Sequence, residues 1–153
     1  MGEAIAAYLH YLSIFLLFAL LTLEHQLFKR PLDLPRARSL MRIDIAYALS
    51  AGLILASGAA RLVWYGKGLA YYLHNSLFHA KLGLFILIAL LSILPTLVFL
   101  NWRNDLRAGL VPQVSTRMGT LVIMTIRLEL LLLLILPLLA ALMARGFGVI
   151  GRA

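Results

Sequence analysis

Three histidines in this chain occupy positions where imidazole rings could ligate a metal. His10 lies near the start of a long apolar run, and His74 and His79 flank the start of another. Neutral imidazole nitrogens are common axial ligands of haem, and helix bundles build cofactor sites from side chains on facing helices. The sequence therefore predicts a haem b site whose iron is bound by His10 and by either His74 or His79. The competing interpretation is that these histidines only lie at the polar ends of apolar segments.

Helical periodicity separates His74 from His79. At 3.6 residues per turn, His74 shares a face with Lys81, whereas His79 falls on a stripe of leucine and isoleucine. This pattern favours His74 and Lys81 as pocket residues. Arg61 and Lys81 would contact anionic groups such as haem propionates, and His25 is a further candidate for cofactor binding.

Charged residues inside the apolar runs form a second group of candidates. Glu24 follows most of the first run, and Arg127 and Glu129 lie within the last. Such groups are costly in a membrane and usually face a protein interior. Arg127 and Glu129 point to nearly opposite sides of one helix and cannot pair with each other. We expect Arg127 to pair with Glu24 or Asp44, and Glu24, Arg127 and Glu129 are the candidate catalytic residues.

Four apolar segments must position these side chains. The chain has 153 residues, of which 63% are hydrophobic and only 13% are charged. A helix of about 20 apolar residues crosses a bilayer core, and the segments that reach this length are approximately 4–28, 41–63, 76–101 and 115–143. Short polar links force neighbouring helices to run antiparallel. The sequence predicts an all-α integral membrane protein, with residues 1–153 forming a single up-down-up-down four-helix bundle.

The basic residues predict an orientation in the membrane. They are more frequent at the first and third links (Lys29, Arg30, Arg36, Arg38, Arg42, Arg103, Arg107 and Arg117) than on the opposite side (Arg61, Lys67, Lys81, Arg145 and Arg152). Because basic residues favour the cytoplasmic side, we expect both termini to lie outside. The opposed directions of Arg127 and Glu129 indicate either a homo-oligomer, in which one face of the last helix meets a second copy, or a reorientation of the side chains by the kink expected at Pro137.

The sequence lacks the residues and motifs that several classes of function need. The chain contains no cysteine, which excludes disulfides, iron–sulfur clusters and Cys-ligated zinc. His25 with Glu24 provides only part of a zinc site, and there is no Gly-rich phosphate loop or catalytic Ser motif. A net charge of +8 would indicate nucleic acid for a soluble protein, but here the basic residues flank apolar runs and should meet anionic lipid headgroups.

Polar residues gather at two depths of the expected bundle. The outer group comprises His10, Arg61, Tyr71, Tyr72, His74, His79 and Lys81. The inner group comprises Glu24, His25, Arg42, Asp44, Tyr47 and Arg103. Such a distribution predicts an interior site and not a simple membrane anchor.

Two resemblances to known families extend this interpretation. Over roughly residues 6–145, the sequence resembles a family of bacterial four-helix membrane proteins of unknown function. The motifs that carry this resemblance are Glu24-His25, Arg42-Ile-Asp44-Ile-Ala-Tyr47, Tyr71-Tyr72-Leu-His74-Asn75, Phe78-His-Ala-Lys81-Leu82 and Phe99-Leu-Asn-Trp102-Arg103.

A more distant resemblance is to the HemJ-type protoporphyrinogen IX oxidases, which are small haem b membrane proteins. His10 stands where that family has a helix-1 histidine, His79-Ala-Lys81-Leu82 is similar to its His-x-Lys-Leu, and Arg127-Leu-Glu129 is similar to a late Arg-x-x-Asn-Glu-x-Pro. The Arg–Glu spacing is shorter here, and Leu94-Pro95-Thr96 replaces a Tyr-His pair. The resemblance implies haem binding more strongly than the oxidase reaction.

With these resemblances, the sequence predicts a multi-pass protein of the bacterial inner membrane that binds haem b and acts in electron transfer or tetrapyrrole oxidation. If it is an enzyme, it would be a HemJ-like oxidase that passes electrons from a tetrapyrrole through haem to a quinone. The alternative is a non-enzymatic membrane protein that binds lipid or a small solute, or that serves as an assembly subunit. Intramembrane charges suit a transport path equally well.

Overall fold

The computed structural model describes residues 1–65 and 68–150, and within these ranges the chain is helical with no β-strand. The elements are α1 (Gly2–Leu27), α2 (Leu34–Val63), α3 (Leu69–Leu73), α4 (Ser76–Asn101), α5 (Arg103–Arg107) and α6 (Thr116–Ala144). Four helices are long and apolar enough to cross a membrane, which confirms the predicted all-α membrane fold. Lys67 and Arg152, which contributed to the predicted orientation, lie outside the described residues.

Side-chain caps begin the three later long helices. Asp33 caps α2 by accepting a hydrogen bond from the backbone N–H of Arg36 (2.8 Å), and a proline lies in the first turn. For this reason α2 begins at Leu34, before the apolar run that starts at Met41. Hydrogen bonds from the backbone N–H and side chain of Arg36 lower the pKa of Asp33 below its usual value. Asn75 and Ser115 cap α4 and α6 in the same way.

The four long helices pack in a ring. The most extensive contacts join α1 to α2 and α4 to α6, and smaller contacts join α1 to α6 and α2 to α4. Helices α1 and α4 therefore lie across the bundle from each other. We call the end formed by residues 28–33 and 102–115 the linker end. The opposite end, formed by the N-terminus and residues 64–65, 68–75 and 145–150, is the terminal end.

The linker half of the bundle holds a tightly packed aromatic core. Phe28 stacks on Trp102 with ring centroids 6.4 Å apart, and Phe99 lies 5.0 Å from Trp102. All three are buried, as are Leu40 and Leu106 beside them. The outer surfaces of the long helices expose large apolar side chains, as a surface facing lipid requires.

The segment that follows α6 closes the terminal end over the start of α4. The backbone N–H of Ser76 donates to the carbonyl of Gly148 (2.8 Å), and the N–H of Ile150 donates to the carbonyl of His74 (2.8 Å). Gly148 has a φ of +83°, and a Cβ there would lie 2.6 Å from Cγ of Leu77. Glycine is required at this position because the backbone is left-handed and the neighbouring chain is close.

Candidate functional site

Three carboxyl groups are buried together in the linker half of the bundle. Glu24 of α1, Asp44 of α2 and Glu129 of α6 are 1%, 3% and 0% exposed. Each comes from a different helix, and Glu24 interacts electrostatically with both of the others. We call these three residues the carboxyl cluster.

Helical periodicity places each carboxyl on the inward stripe of its helix. Glu24 continues the buried positions Leu17 and Leu21 of α1, and Glu129 stands between the buried positions Ile126 and Leu133 of α6. These positions recur every three or four residues, so they lie on one face. The carboxyls therefore occupy places that apolar side chains fill elsewhere in the core. Asp44, between Leu40 and Tyr47 of α2, follows the same rule.

Only two hydrogen bonds reach these carboxyls within the described part of the chain. The Tyr47 hydroxyl donates to Oε2 of Glu129 (3.1 Å), across the bundle from α2 to α6. The Thr96 hydroxyl of α4 donates to Oδ1 of Asp44 (2.8 Å). Oε1 of Glu24 and Oε1 of Glu129 are buried without a partner. Buried polar atoms in proteins are nearly always paired, so these two oxygens need an explanation.

No basic side chain in the described residues forms an ion pair with the cluster. The one ion pair within residues 1–65 and 68–150 joins Arg36 to Asp33 at the linker end (2.6 Å). Arg127 is exposed, and its Nε donates to Nε2 of His25 (3.1 Å). Arg127 thus contacts His25 and not the expected Glu24 or Asp44. The predicted opposition of Arg127 and Glu129 is present, because Glu129 is buried.

A group of basic side chains lies in the terminal half. Nδ1 of His10 and the hydroxyl of Ser57 are hydrogen bonded (3.0 Å) between α1 and α2. Arg61 and Lys81 both interact electrostatically with His10, and the Arg61 guanidinium lies 5.4 Å from the ring centre of Tyr11. All three basic residues are partly exposed. We call His10, Arg61 and Lys81 the terminal basic cluster.

Comparison with known proteins identifies the family. A family model described as Predicted membrane protein (DUF2214) matches residues 2–148. The chain belongs to this family. No curated protein and no solved structure matches it. The comparisons give no support for similarity to the HemJ-type oxidases, and the DUF2214 description names a predicted membrane protein without an activity.

In this DUF2214 protein the remaining histidines lie apart from His10. His74 and His79 are exposed, and their rings hydrogen bond to the backbone carbonyls of Ala70 (2.8 Å) and Leu73 (2.9 Å) in α3. Helix α4 does not extend back to His74 as the periodicity argument assumed, because Asn75 is extended and caps the helix. No hydrogen bond or ring contact in the described chain joins either histidine to His10.

The structure places the predicted haem residues on separate elements. Arg61 and Lys81 lie within electrostatic range of His10. His74 follows α3, and His79 lies in the first turn of α4. Among the described residues, no group of three or more His, Asp or Glu side chains is arranged to hold a metal ion. Haem needs only two axial ligands, so haem b binding by His10 with His74 or His79 stays a prediction.

Sequence reasoning missed the partners that organise both clusters. Ser57, which holds His10, is a small residue on α2 with no distinguishing pattern. Tyr47 was assigned to the inner group, but its contact with Glu129 crosses the bundle and has no signature in sequence spacing. The signal that could have found it is the three-residue step from Asp44, which puts both side chains on one face of α2.

Proposed function

We propose that this protein binds and exchanges protons at the carboxyl cluster, as the ion-binding site of a non-enzymatic membrane protein. The observation that supports the proposal is the pair of buried, unpartnered oxygens on Glu24 and Glu129. A proton is the simplest species that satisfies them, because the cluster lacks the ligand geometry of a metal site in the described residues.

The cost of unpaired charge supports proton binding. An ionised carboxylate in an apolar interior is destabilising by several kcal/mol unless a cation or hydrogen bonds offset it. The described residues offer the cluster hydroxyl donors from Tyr47 and Thr96 but no cation. Like charges placed together add to this cost. At least one carboxyl of the cluster therefore holds a proton.

Two hydroxyl groups donate to the cluster, Thr96 to Asp44 and Tyr47 to Glu129. Each hydroxyl can also accept a hydrogen bond and so exchange a proton with its own carboxyl. Glu24 lies three residues before the end of α1 and is the member of the cluster nearest to a helix end. Protons would enter the cluster at Glu24, as expected for a proton-coupled carrier or subunit.

Infrared difference spectroscopy tests this proposal directly. Neutral carboxyl groups have a carbonyl-stretching band that ionised ones lack. At about pH 6, exposed carboxyls are ionised and only buried neutral ones contribute, so raising the pH from about 6 to about 10 should remove such a band from the wild-type protein in lipid. Glu24→Gln and Glu129→Gln should each remove part of it. Transfer into D2O should shift the band, because an exchangeable proton is replaced by deuterium.

Glu3→Gln is the matched control, since Glu3 is exposed in the first turn of α1. It makes the same chemical change without touching the cluster and should leave the band intact. If the cluster bands respond to neither pH nor D2O, the cluster is a permanent structural feature and the proposal is wrong. The same conclusion follows if Glu3→Gln alters the band as much as Glu24→Gln.

Haem b binding with electron transfer is a second candidate function. It is favoured by His10, which is held by Ser57 between two helices with Arg61 and Lys81 in electrostatic range. Oxidation of a tetrapyrrole with a quinone as acceptor would depend on that haem. The test is a visible spectrum after expression with ample haem. A Soret band that His10→Ala removes and His25→Ala retains would support haem, and a colourless protein would exclude it.

We also propose that a second copy covers Arg127 and His25. This pair is on the surface of the bundle, where a charged side chain facing lipid would be costly. The chain lacks cysteine, so Leu128→Cys on the exposed surface beside Arg127 gives a single crosslinking site. Disulfide-linked dimers should form in native membranes. Leu90→Cys, on the exposed surface of α4, is the control, and equal crosslinking at both sites would contradict a specific interface.

A further inference from the structure

Four arginines surround a pocket at the linker end. The pocket has a volume of about 300 Å³ and is lined by Arg38, Met41, Arg42, Arg103, Leu106 and Arg107. We call it the arginine pocket. Two of its arginines come from the first turns of α2, and two come from the short helix α5. Its location and residues are separate from those of the carboxyl cluster.

The arginines of this pocket are available to a ligand. All four are exposed, and none forms an ion pair in the described part of the chain. Arg38 donates from Nη2 to the backbone carbonyl of Leu106 (3.3 Å), which fastens α5 to α2 and sets the width of the pocket. Several unpaired guanidinium groups around one space repel one another and favour an anion between them.

The pocket lies at one end of the bundle, between the first turns of α2 and the short helix that follows α4. Both α2 and α4 are long and apolar enough to cross a membrane, and basic residues at the ends of such helices meet lipid headgroups. The pocket lining also contains the apolar side chains of Met41 and Leu106 between the arginines. An amphipathic ligand fits this mixture better than a soluble anion does, because its apolar part can continue along the helices into the membrane.

We propose that the arginine pocket binds the phosphate group of an anionic phospholipid from the adjoining leaflet. Guanidinium groups bind phosphate oxygens through paired, charge-assisted hydrogen bonds. Basic pockets beside membrane helices are a recognised form of headgroup site. Binding there would hold α5 against α2 and so fix the link between α4 and α6. The lipid would act as a structural ligand of the linker end.

Native mass spectrometry of the purified protein in detergent tests this inference. The protein is titrated with phosphatidylglycerol or with phosphatidylcholine of the same acyl chains. Phosphatidylglycerol should remain bound, and phosphatidylcholine should not. Arg42→Gln and Arg103→Gln should each weaken phosphatidylglycerol binding about tenfold, as loss of a charged hydrogen bond predicts. Arg103→Lys should give an intermediate loss, because it keeps the charge without the paired geometry.

Arg117→Gln is the matched control. Arg117 is an exposed arginine at the same end of the bundle and does not line the pocket. Its substitution should leave lipid binding unchanged. If Arg117→Gln and Arg103→Gln weaken lipid binding equally, the lipid is attracted by the positive surface charge of this end and not by a specific pocket, and the inference is wrong. Equal binding of the two lipids would also overturn it.

Excess inorganic phosphate separates a lipid site from a site for soluble anions. The titration with phosphatidylglycerol is repeated in its presence. Binding should persist, because the apolar contacts of the lipid add to those of its phosphate. Complete displacement of the lipid would show that the pocket recognises a soluble anion, and the lipid assignment would be wrong.

Discussion

The carboxyl cluster and the terminal basic cluster both lack an ion-pair partner among the described residues, but they differ in how far their side chains are buried. In the terminal half, His10, Arg61 and Lys81 are partly exposed. In the linker half, Glu24 and Glu129 are 1% and 0% exposed. Long basic side chains can keep their charged ends in water while their stems lie along apolar surface. Short carboxyls at core positions have no such freedom.

The halves also differ in packing. Phe28, Phe99 and Trp102 form a closed aromatic group at the linker end, whereas Trp64 and Tyr65 at the terminal end are exposed. The linker half therefore combines a buried aromatic core with the two unpartnered carboxyl oxygens. This combination is typical of a functional site that tight packing maintains at a cost in stability.

Substitution of the two tryptophans should give the largest contrast between the halves. Trp102→Ala removes a buried ring from the aromatic core and should lower the free energy of unfolding by about 3–5 kcal/mol. Trp64→Ala, at a side chain that is 73% exposed, should change it by about 0.5 kcal/mol or less. Unfolding in mixed micelles, followed by circular dichroism, measures both. Equal losses would contradict the difference in packing.

Replacement of Glu24 by an apolar side chain should stabilise the protein. Glu24→Met removes a buried group without a hydrogen bond and should raise the free energy of unfolding by about 1–3 kcal/mol, while abolishing its share of the infrared band. Lys81→Met in the terminal basic cluster should have an effect of about 0.5 kcal/mol or less. A stabilisation by Lys81→Met as large as that by Glu24→Met would remove the distinction between the clusters.

Loss of the Tyr47 hydroxyl should destabilise the linker half. Tyr47→Phe leaves Glu129 without a hydrogen bond and should lower the free energy of unfolding by about 1 kcal/mol. Tyr8→Phe makes the same change on the exposed surface of α1 and serves as the control. The same denaturation experiment compares them. A neutral Tyr47→Phe would mean that the contact across the bundle contributes nothing.

The smallest effect is expected at Ser57 in the terminal half. Ser57→Ala removes the hydrogen bond to His10 and should lower the free energy of unfolding by about 0.5 kcal/mol, because water can reach His10. Ser50→Ala is a close control, since Ser50 is also buried on α2 and bonds to the carbonyl four residues earlier. If Ser57→Ala lowers the free energy of unfolding more than Tyr47→Phe does, the hydrogen bond in the terminal half is the more stabilising one and the expected order is wrong.

Depth along each helix could be predicted from the sequence, and contacts between helices could not. The inner and outer groups were assigned by counting residues from the ends of apolar runs, and the structure brings His10, Arg61 and Lys81 together as that counting implied. His74 and His79 were assigned to the same level, yet their rings contact α3. Asn75 interrupts the helix between these two histidines, so His74 does not continue the face of α4 that carries Lys81.

The partners of the charged residues depended on the order of the helices around the bundle. Arg127 and Glu129 are two positions apart in α6, which places their side chains on nearly opposite sides of the helix. This follows from the helix alone and does not depend on the helices that pack against α6. Which of them faces inward was decided by packing, which buries Glu129 and leaves Arg127 beside His25. The arginine pocket likewise required α5 to fold back onto α2, a contact that no local pattern indicates.

The sequence by itself determined a membrane protein of four helices with polar groups at two depths, because hydropathy and helical rise are local properties. Only the tertiary structure decided that carboxyls from α1, α2 and α6 are all buried in the linker half, with Glu24 in electrostatic range of the other two and no ion pair to them among the described residues. It also decided that His10 lies against Ser57 and apart from the other histidines. These are relations between distant segments, and the free energy of packing the whole bundle determines them.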